Sequence, residues 1–212
     1  MGHPWEEVTL SDYEGHMALV GQLQALNAIM QRQFSAFPQA KSGAVWGVAG
    51  GNGLEHGAEL QTLYGIDVNP AYLAACRSRF LYLGDKLRLV QADLSSLDAP
   101  IPHADLVIAN LLLEYIGIGL FAAQLLRTSP CYLSCVVQRN LGAAFVSPTQ
   151  YEAAFSGIGA LHQDIRPSAL CTALAGVGYV RVKEEVYPLP NQKQLIRLDF
   201  KKAGPNSVAI LN

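Results

Sequence analysis

Three segments of the sequence place residues capable of ligand binding directly after apolar runs. The run Ala44–Val48 leads into a glycine-rich turn, Ala49-Gly50-Gly51-Asn52-Gly53, and two later runs end at Asp67 and Asp93. Glycine-rich backbone can approach a ligand closely, because glycine has no Cβ and adopts angles that other residues avoid. A carboxylate beside it can accept hydrogen bonds from ribose hydroxyls or from an adenine amino group, each worth roughly 1.5–3 kcal/mol.

Each of these segments also has a purely structural interpretation, and both interpretations stay open. The glycine-rich run can be an ordinary tight turn. Asp67 can support the turn at Asn69-Pro70, and Asp93 can cap the segment that begins at Leu94. The order of the segments is more specific than any one of them: a glycine-rich turn, an acid closing a second strand, a helix, a third strand closed by an acid, and a long apolar strand that reaches Asn110.

The elements that must position these residues alternate between strand and helix patterns, which favours a parallel sheet. In such a sheet, ligands bind beyond the carboxyl ends of the strands. The last two strands are joined through Pro188-Leu189-Pro190-Asn191, too short a connection for anything but an antiparallel pair. We therefore predict an α/β fold with a doubly wound, mostly parallel seven-stranded sheet, Rossmann-like, and an antiparallel C-terminal hairpin. The predicted strands are Ala44–Val48, Leu63–Ile66, Leu87–Ala92, Ala104–Leu113, Tyr132–Val137, Tyr179–Tyr187 and Gln194–Lys201.

The first 40 residues are predicted to form a separate helical segment, followed by the main domain over residues 41–212. Ser11-Asp12-Tyr13-Glu14 has the pattern of a capping box, with Ser11 as the N-cap. Apolar residues then recur at steps of three or four from Leu19 to Phe37, which predicts one amphipathic helix. A second helix is expected to begin at Asn69-Pro70, with Asn as the N-cap and Pro at the first helical position, and to run to about Leu83.

Composition excludes several classes of protein. Half of the 212 residues are hydrophobic and only 15% are charged, which suits one well-packed domain. The net charge of −2 argues against nucleic-acid binding. No apolar run approaches the ~18 residues of a membrane span, and no signal peptide precedes Leu10. Four scattered cysteines without a C-x-x-C pair favour a reducing, cytoplasmic setting, and the histidines have no metal-ligand spacing.

From Ala44 to Val137, and more loosely to Lys201, the chain resembles the class I S-adenosylmethionine-dependent methyltransferases. In that family the first strand and turn read hydrophobic–hydrophobic–acidic–hydrophobic–Gly-x-Gly-x-Gly. This chain departs from the pattern at Gly47, in the acidic position, and at Ala49, in the first glycine position. The resemblance implies S-adenosylmethionine as cofactor, with ribose near Asp67, adenine near Asp93, and the methionyl group near Asn110. The implied cofactor-binding residues are Ala49, Gly50, Gly51, Gly53, Asp67, Val68, Asp93, Leu94 and Asn110.

The same resemblance suggests catalytic residues after the fourth strand. Many small-molecule methyltransferases carry Leu-His-His or Leu-Glu-His there, and this chain has Leu113-Glu114-Tyr115. Glu114 would face the methyl acceptor as a base or hydrogen-bond acceptor, with Tyr115 positioning the acceptor. Alternatively, Glu114 caps the following helix.

The N-terminal helix would be a lid over the acceptor pocket, with Tyr13, His16 and Met17 nearest to it. His16 is a second candidate base, because an unperturbed imidazole titrates near neutral pH. A packed histidine without a chemical role is the alternative.

The sequence therefore predicts an enzyme that transfers a methyl group from S-adenosylmethionine to a small molecule, at O or N. Nucleic acid is an unlikely acceptor, because Asn110 is followed by Leu111-Leu112 and not by Pro-Pro-Tyr. One alternative is an NAD-dependent oxidoreductase, since Asp67 would suit NAD ribose, although His56 replaces the last glycine of Gly-x-Gly-x-x-Gly. The other is a catalytically inactive S-adenosylmethionine-binding protein, which the two departures at Gly47 and Ala49 keep open.

Overall fold

A computed structural model describes residues 3–142, 146–190 and 192–204 and contains one seven-stranded sheet. The order of strands is β3-β2-β1-β4-β5-β7-β6, with β1 to β5 parallel and β7 antiparallel to both β5 and β6. The predicted doubly wound sheet and its C-terminal hairpin are confirmed; Asn191 of the predicted hairpin connection lies outside the described residues. The strands are β1 Ser42–Trp46, β2 Thr62–Asp67, β3 Leu87–Gln91, β4 Leu106–Asn110, β5 Tyr132–Asn140, β6 Tyr179–Leu189 and β7 Lys193–Lys202.

The order in which the chain adds strands to the sheet reverses between β1 and β4, and this position is the topological switch point of the sheet. From β1 the chain moves outward through β2 to β3, and it then returns to pair β4 with the other side of β1. Connections after β1 and β4 therefore diverge to opposite faces, which leaves a crevice at the carboxyl ends of these two strands. The glycine-rich turn and Asn110 both lie at this crevice.

In the described part of the chain, five α-helices cover the sheet: α1 Leu10–Leu19, α2 Gln22–Ser35, α3 Pro70–Arg79, α4 Leu113–Thr128 and α5 Pro167–Gly176. The start of α3 is confirmed, because the Asn69 side chain accepts hydrogen bonds from the backbone N–H groups of Ala71 and Tyr72. The helix ends at Arg79, four residues before the predicted Leu83. Among the described residues, no helix combines the length and apolar character that crossing a bilayer requires.

The single N-terminal helix predicted from the apolar spacing is wrong, because the structure has two helices there. Gly21 adopts a left-handed conformation, with φ of 74°, and separates α1 from α2. Leu19 lies at this break and is 65% exposed. The N-cap of α1 is Thr9 and not Ser11, since the Thr9 hydroxyl accepts a hydrogen bond from the Asp12 backbone N–H at 3.1 Å. The sequence pattern did not reveal this break, because apolar residues recur at steps of three or four within each helix separately.

The two N-terminal helices share one hydrophobic cluster, and α2 also reaches a second one. Met30 of α2 and Phe37, which follows the end of that helix, belong to the hydrophobic core on the face of the sheet that also carries α3. Tyr13 and Met17 of α1 pack with Leu111, directly after the carboxyl end of β4, in a cluster that also contains Leu26 and Ile29 of α2. The predicted division of the chain at residue 40 and the predicted lid both stay predictions.

Candidate functional site

A cavity opens at the carboxyl ends of β1, β2 and β4 and after β3, with about 810 Å³ of space if the part open to solvent is included. We call it the strand-end cavity. Six of the nine cofactor-binding residues predicted from the sequence line it: Ala49, Asp67, Val68, Asp93, Leu94 and Asn110.

Asp67 organises the wall of this cavity through its own backbone neighbours. One carboxylate oxygen accepts a hydrogen bond from the Ala49 N–H at 2.8 Å, and the other accepts one from the Asn69 N–H at 2.9 Å. Burial raises the pKa of the carboxyl, against the effect of these N–H groups. The structural interpretation of Asp67 is therefore correct, and it is compatible with binding, because each oxygen can accept a further hydrogen bond.

The turn after β1 is held in a strained conformation. Ala49 has φ of 46° and Gly47 has φ of 74°. A left-handed backbone conformation costs a non-glycine residue roughly 1–2 kcal/mol, so Ala49 is strained. The family that this chain resembles has glycine at the same position. The Ala49 N–H points at Asp67, which accounts for the conformation that the turn adopts.

The remaining three glycines serve the packing of helices. A Cβ atom on Gly51 would lie 2.6 Å from the ring of Phe80, and one on Gly53 would lie 2.8 Å from the Met30 side chain. A Cβ on Gly50 would lie 2.5 Å from the guanidinium of Arg79. The strand-end cavity is lined by Gly47 and Ala49 of this turn and not by these three glycines. A cofactor contact at Gly50, Gly51 and Gly53 stays a prediction.

An ion pair fastens α1 to α3 above Gly50. Both terminal nitrogens of the Arg79 guanidinium donate hydrogen bonds to the Glu14 carboxylate, and the one from Nη2 is 2.7 Å long. The guanidinium also donates to the Gly50 carbonyl at 3.1 Å. The side chains of Arg79 and Glu14 are 44% and 21% exposed, so the pair lies at the rim of the crevice.

Asn110 is fixed by a residue that the sequence interpretation missed. The Gln33 side-chain amide donates to the Asn110 carbonyl oxygen at 2.8 Å, and the Asn110 amide donates back to Gln33 at 2.9 Å. Gln33 is completely buried in α2. Its signal in the sequence is a polar residue on the apolar face, three residues after Met30 and four before Phe37.

Leu111 is the second strained residue at the switch point. It has φ of 55°, and its N–H donates to the Val136 carbonyl of β5 at 2.9 Å. With Ala49, it places left-handed non-glycine backbone at the ends of both β4 and β1. Such strain concentrates at functional sites in proteins, which supports this crevice as the site.

At the far end of the cavity, Asp93 follows β3. One of its carboxylate oxygens accepts hydrogen bonds from the Ser95 N–H at 2.8 Å and the Ser95 hydroxyl at 2.6 Å. Asp93 thus caps the next segment, as the structural interpretation predicts, and it also lines the cavity beside the buried Leu94.

Aromatic residues outside the predicted set complete the wall. Trp5 and Tyr72 both line the strand-end cavity. The Tyr72 hydroxyl is buried and has no hydrogen-bond partner in the part of the chain that the structure describes. Burial and the negative charge of Asp67 raise the pKa of Tyr13 and of Tyr72, so both phenols stay protonated hydrogen-bond donors at neutral pH. Neither Trp5 nor Tyr72 carries a pattern in the sequence that would indicate this role.

A second cavity, of about 490 Å³, lies beneath α1, and we call it the α1 cavity. Tyr13, His16 and Met17, predicted to be nearest the acceptor pocket, all line it, as do Glu114 and Tyr115. Four residues line both cavities and therefore form their common boundary: Trp5, Tyr13, Leu111 and Tyr115.

Glu114 is buried at the start of α4, with 1% of its surface exposed. One carboxylate oxygen accepts a hydrogen bond from the Gln138 N–H of β5 at 2.7 Å. The other, Oε2, is buried and has no hydrogen-bond partner within the described residues. Burial, with a smaller contribution from the charge of Asp164, raises the pKa of Glu114 to about 7. The N-cap of α4 is Leu112, without a side-chain cap bond, so Glu114 bonds to β5 and is not the helix cap of the alternative interpretation.

His16 is both packed and part of the cavity wall. Its Nδ1 lies 2.8 Å from the Thr149 hydroxyl, and its ring packs 4.7 Å from the ring of Phe155. Burial, followed by the positive charge of Lys193, lowers the pKa of His16, so the imidazole is neutral at neutral pH. No group of three or more His, Cys, Asp or Glu side chains suited to a metal ion occurs in residues 3–142, 146–190 and 192–204.

The fold is similar to that of several solved methyltransferases. The N-methyltransferase NodS from Bradyrhizobium japonicum WM9, in complex with S-adenosylhomocysteine, matches with a TM-score of 0.64 and 11% identity, over 85% of this chain and 87% of that one. Magnesium protoporphyrin IX methyltransferase from Synechocystis PCC 6803, with bound S-adenosylmethionine, matches with a TM-score of 0.63 and 12% identity, over 87% and 81%. The CcbJ methyltransferase from Streptomyces caelestis gives 0.59 and 11%, over 82% and 89%.

No protein-family model and no curated protein sequence matches the chain. The likeness is therefore one of structure, at low sequence identity. It confirms the resemblance predicted from the sequence at the level of the fold: the chain has the class I methyltransferase fold.

Proposed function

We propose that this protein is an enzyme that transfers the methyl group of S-adenosylmethionine to a small-molecule acceptor. The observation that carries the proposal is the strand-end cavity, in which Asp67, Asp93 and Asn110 converge at the switch point of the sheet. The solved structures of magnesium protoporphyrin IX methyltransferase and NodS contain S-adenosylmethionine and S-adenosylhomocysteine, respectively, which supports the same cofactor here.

The residues present fit this cofactor. Asp67 and Val68 would hold the ribose, with the unpartnered Tyr72 hydroxyl as an additional donor; Asp93 and Leu94 would hold the adenine. The methionyl group would lie by Asn110. The wall carries two carboxylates, and no Lys or Arg occurs among its described residues. That balance suits a ligand with a positively charged sulfonium.

The cofactor supplies an already activated methyl group, so the main task of the protein is alignment. Well-oriented reactions gain up to roughly 7–11 kcal/mol from positioning alone. The strained backbone of Leu111 and the reciprocal Gln33–Asn110 amide pair hold the floor of the crevice rigid. We assign the acceptor to the α1 cavity, because that cavity shares a boundary with the strand-end cavity.

Glu114 is the base we propose for an acceptor that must lose a proton. Its carboxyl lines the α1 cavity, and burial raises its pKa to about 7, close to the pH at which a general base works best. His16 lines the same cavity and is the second candidate. Tyr115, on the boundary between the cavities, would position the acceptor.

An NAD-dependent oxidoreductase is less compatible with the crevice. A dinucleotide diphosphate binds where a glycine-rich turn opens onto the N-terminus of an α-helix. Here the turn is followed by a short 3-10 helix, Leu54–Gly57, and the Glu14 carboxylate lies directly over Gly50. The Arg79 guanidinium balances that charge, so the Glu14–Arg79 ion pair disfavours a diphosphate by filling the space over Gly50.

The proposal is tested by thermal melting with S-adenosylhomocysteine and, in parallel, with NAD. At a ligand concentration ~100 times Kd, linkage stabilises the protein by about 2.7 kcal/mol, or roughly 5–10 °C for a domain of this size. We expect that shift with S-adenosylhomocysteine alone. A shift with NAD alone, or with neither, would contradict the proposal. Binding of S-adenosylhomocysteine without methyl transfer to any acceptor would favour the inactive binding protein.

A further inference from the structure

We infer that the methyl acceptor is a small amine, which binds as an ammonium ion between Glu114 and the aromatic residues of the α1 cavity. This inference rests on the proposed function and specifies its acceptor. Three features of the cavity carry it: an unpartnered carboxylate oxygen, the absence of Lys and Arg from the described wall, and the arrangement of aromatic rings.

The first feature is Glu114 Oε2. It is buried in the wall of the α1 cavity and has no hydrogen-bond partner within the described residues, whereas Oε1 is paired with the Gln138 N–H. A buried polar atom without a partner is costly. A ligand that donates an N–H or O–H bond to Oε2 removes this cost, so the cavity selects a hydrogen-bond donor.

The second feature is charge. The described wall of the cavity contains the Glu114 carboxylate and no Lys or Arg. His16 is neutral at neutral pH, since burial and Lys193 lower its pKa. Asp164 adds negative charge near Glu114, while Lys193 and Glu152 act on His16 from outside the wall. Such a wall offers no cation to a carboxylate or phosphate acceptor, and it attracts a cation.

The third feature is a group of three aromatic rings on the boundary with the strand-end cavity. The ring of Trp5 lies 4.8 Å from that of Tyr115 and 6.0 Å from that of Tyr13, with interplanar angles of 87° and 84°. Rings set at right angles present faces as well as edges, and a ring face attracts an ammonium ion. This position also brings the nitrogen next to the predicted methyl donor.

The protons and electrons of the reaction balance with Glu114 as the base. An alkylammonium donates one proton to Oε2, which leaves a neutral amine with a lone pair. The nitrogen forms a bond to the sulfonium methyl carbon, the C–S bond breaks, and its electron pair stays on sulfur. An ammonium group, with an ordinary pKa near that of lysine, about 10, can transfer its proton to a carboxylate of raised pKa. An aliphatic alcohol is far too weak an acid to do so.

The test uses calorimetry on the whole protein saturated with S-adenosylhomocysteine and four probes of similar shape. The probes are phenethylamine, 2-phenylethanol, 4-ethylphenol and phenylacetate. We expect phenethylamine to bind at least 10-fold more tightly than each of the other three. Glu114→Gln should reduce that preference at least 10-fold, while Glu152→Gln, outside the cavity wall, should leave it intact.

The two proposals fail in different ways. If S-adenosylhomocysteine binds but the alcohol, the phenol or the acid binds as tightly as the amine, or if no amine binds, the acceptor class is wrong and the proposed function stands. If S-adenosylhomocysteine does not bind, the proposed function itself fails. The probe comparison is made on the unmodified protein, so it stays decisive even if Glu114→Gln does not fold.

Discussion

The two cavities differ in how their polar groups are satisfied. In the strand-end cavity, Asp67 accepts two backbone N–H bonds and Asn110 is paired in both directions with Gln33. In the α1 cavity, one oxygen of Glu114 is buried without a hydrogen-bond partner in the described residues. The carboxylate and amide of the first site are therefore preorganised by backbone N–H groups and by Gln33, and among its buried side-chain polar atoms only the Tyr72 hydroxyl lacks a partner in the described residues. In the second site it is the carboxylate itself that a ligand must complete.

This difference indicates that the two cavities have different roles, one in binding the cofactor and the other in proton transfer. Groups that are already hydrogen-bonded hold their geometry and bind a ligand without changing protonation. A buried carboxyl with a raised pKa changes protonation readily near neutral pH, as a base must. We therefore expect substitutions in the strand-end cavity to change affinity for the cofactor, and substitutions in the α1 cavity to change turnover.

The largest effect is expected from Glu114→Gln. The amide keeps the size of the side chain but cannot accept a proton, so turnover with an amine acceptor should fall about 10²–10⁴-fold. Affinity for S-adenosylhomocysteine, measured by calorimetry, should change less than about twofold. A parallel loss of both would mean that the two cavities are not functionally separate.

The complementary substitution is Asp67→Ala. Loss of two charge-assisted bonds to ribose hydroxyls should weaken S-adenosylhomocysteine binding by about 2–4 kcal/mol, roughly 30- to 1,000-fold. Asp67 also accepts hydrogen bonds from the Ala49 and Asn69 N–H groups. The melting temperature of the Asp67→Ala protein must therefore be measured together with its affinity for S-adenosylhomocysteine. Asp98→Ala, at an exposed position, is the control. Unchanged affinity in Asp67→Ala would exclude the ribose role.

The protonation of Glu114 should also appear in the stability of the ligand-free protein. Its folded pKa, about 7, exceeds the ordinary value of 4.5, so its contribution is fully present below about pH 4.5 and is lost as pH rises through 7. Relative to Glu114→Gln, the unmodified protein should lose about 2–3 kcal/mol of unfolding free energy between pH 5 and pH 8. Urea unfolding of both proteins at the two pH values measures this. A constant difference would show that the carboxyl is not perturbed.

The smallest effect concerns the strained turn. Glycine at position 49 relieves the left-handed strain of Ala49, so Ala49→Gly should raise the unfolding free energy by up to about 1 kcal/mol. Ala74→Gly is the control, because Ala74 is exposed within α3, so the main effect of the change is the added entropy of the unfolded chain. Ala74→Gly should lower stability by about 0.5–1 kcal/mol. Equal destabilisation in both would contradict strain at Ala49.

Much of the strand-end cavity could be predicted from the sequence because it depends on local patterns. Each strand is an apolar run, and parallel strands bring their carboxyl ends to one edge, so Asp67, Asp93 and Asn110 had to converge. The capping signal at Asn69-Pro70 likewise acts through neighbouring residues. The local pattern gave the wrong prediction in the N-terminal segment, because the left-handed backbone of Gly21 divides the predicted single helix into two.

The α1 cavity was decided by the tertiary structure. The sequence could propose Glu114 and His16 as candidates, but their environment comes from distant segments: Gln138 on β5 donates to Glu114, and Thr149 contacts His16 across 133 positions of the chain. Neither Trp5 nor Tyr72 has a sequence pattern that marks it as part of a site. Side-chain burial and pKa depend on everything packed around a group, and only folding brings those neighbours together.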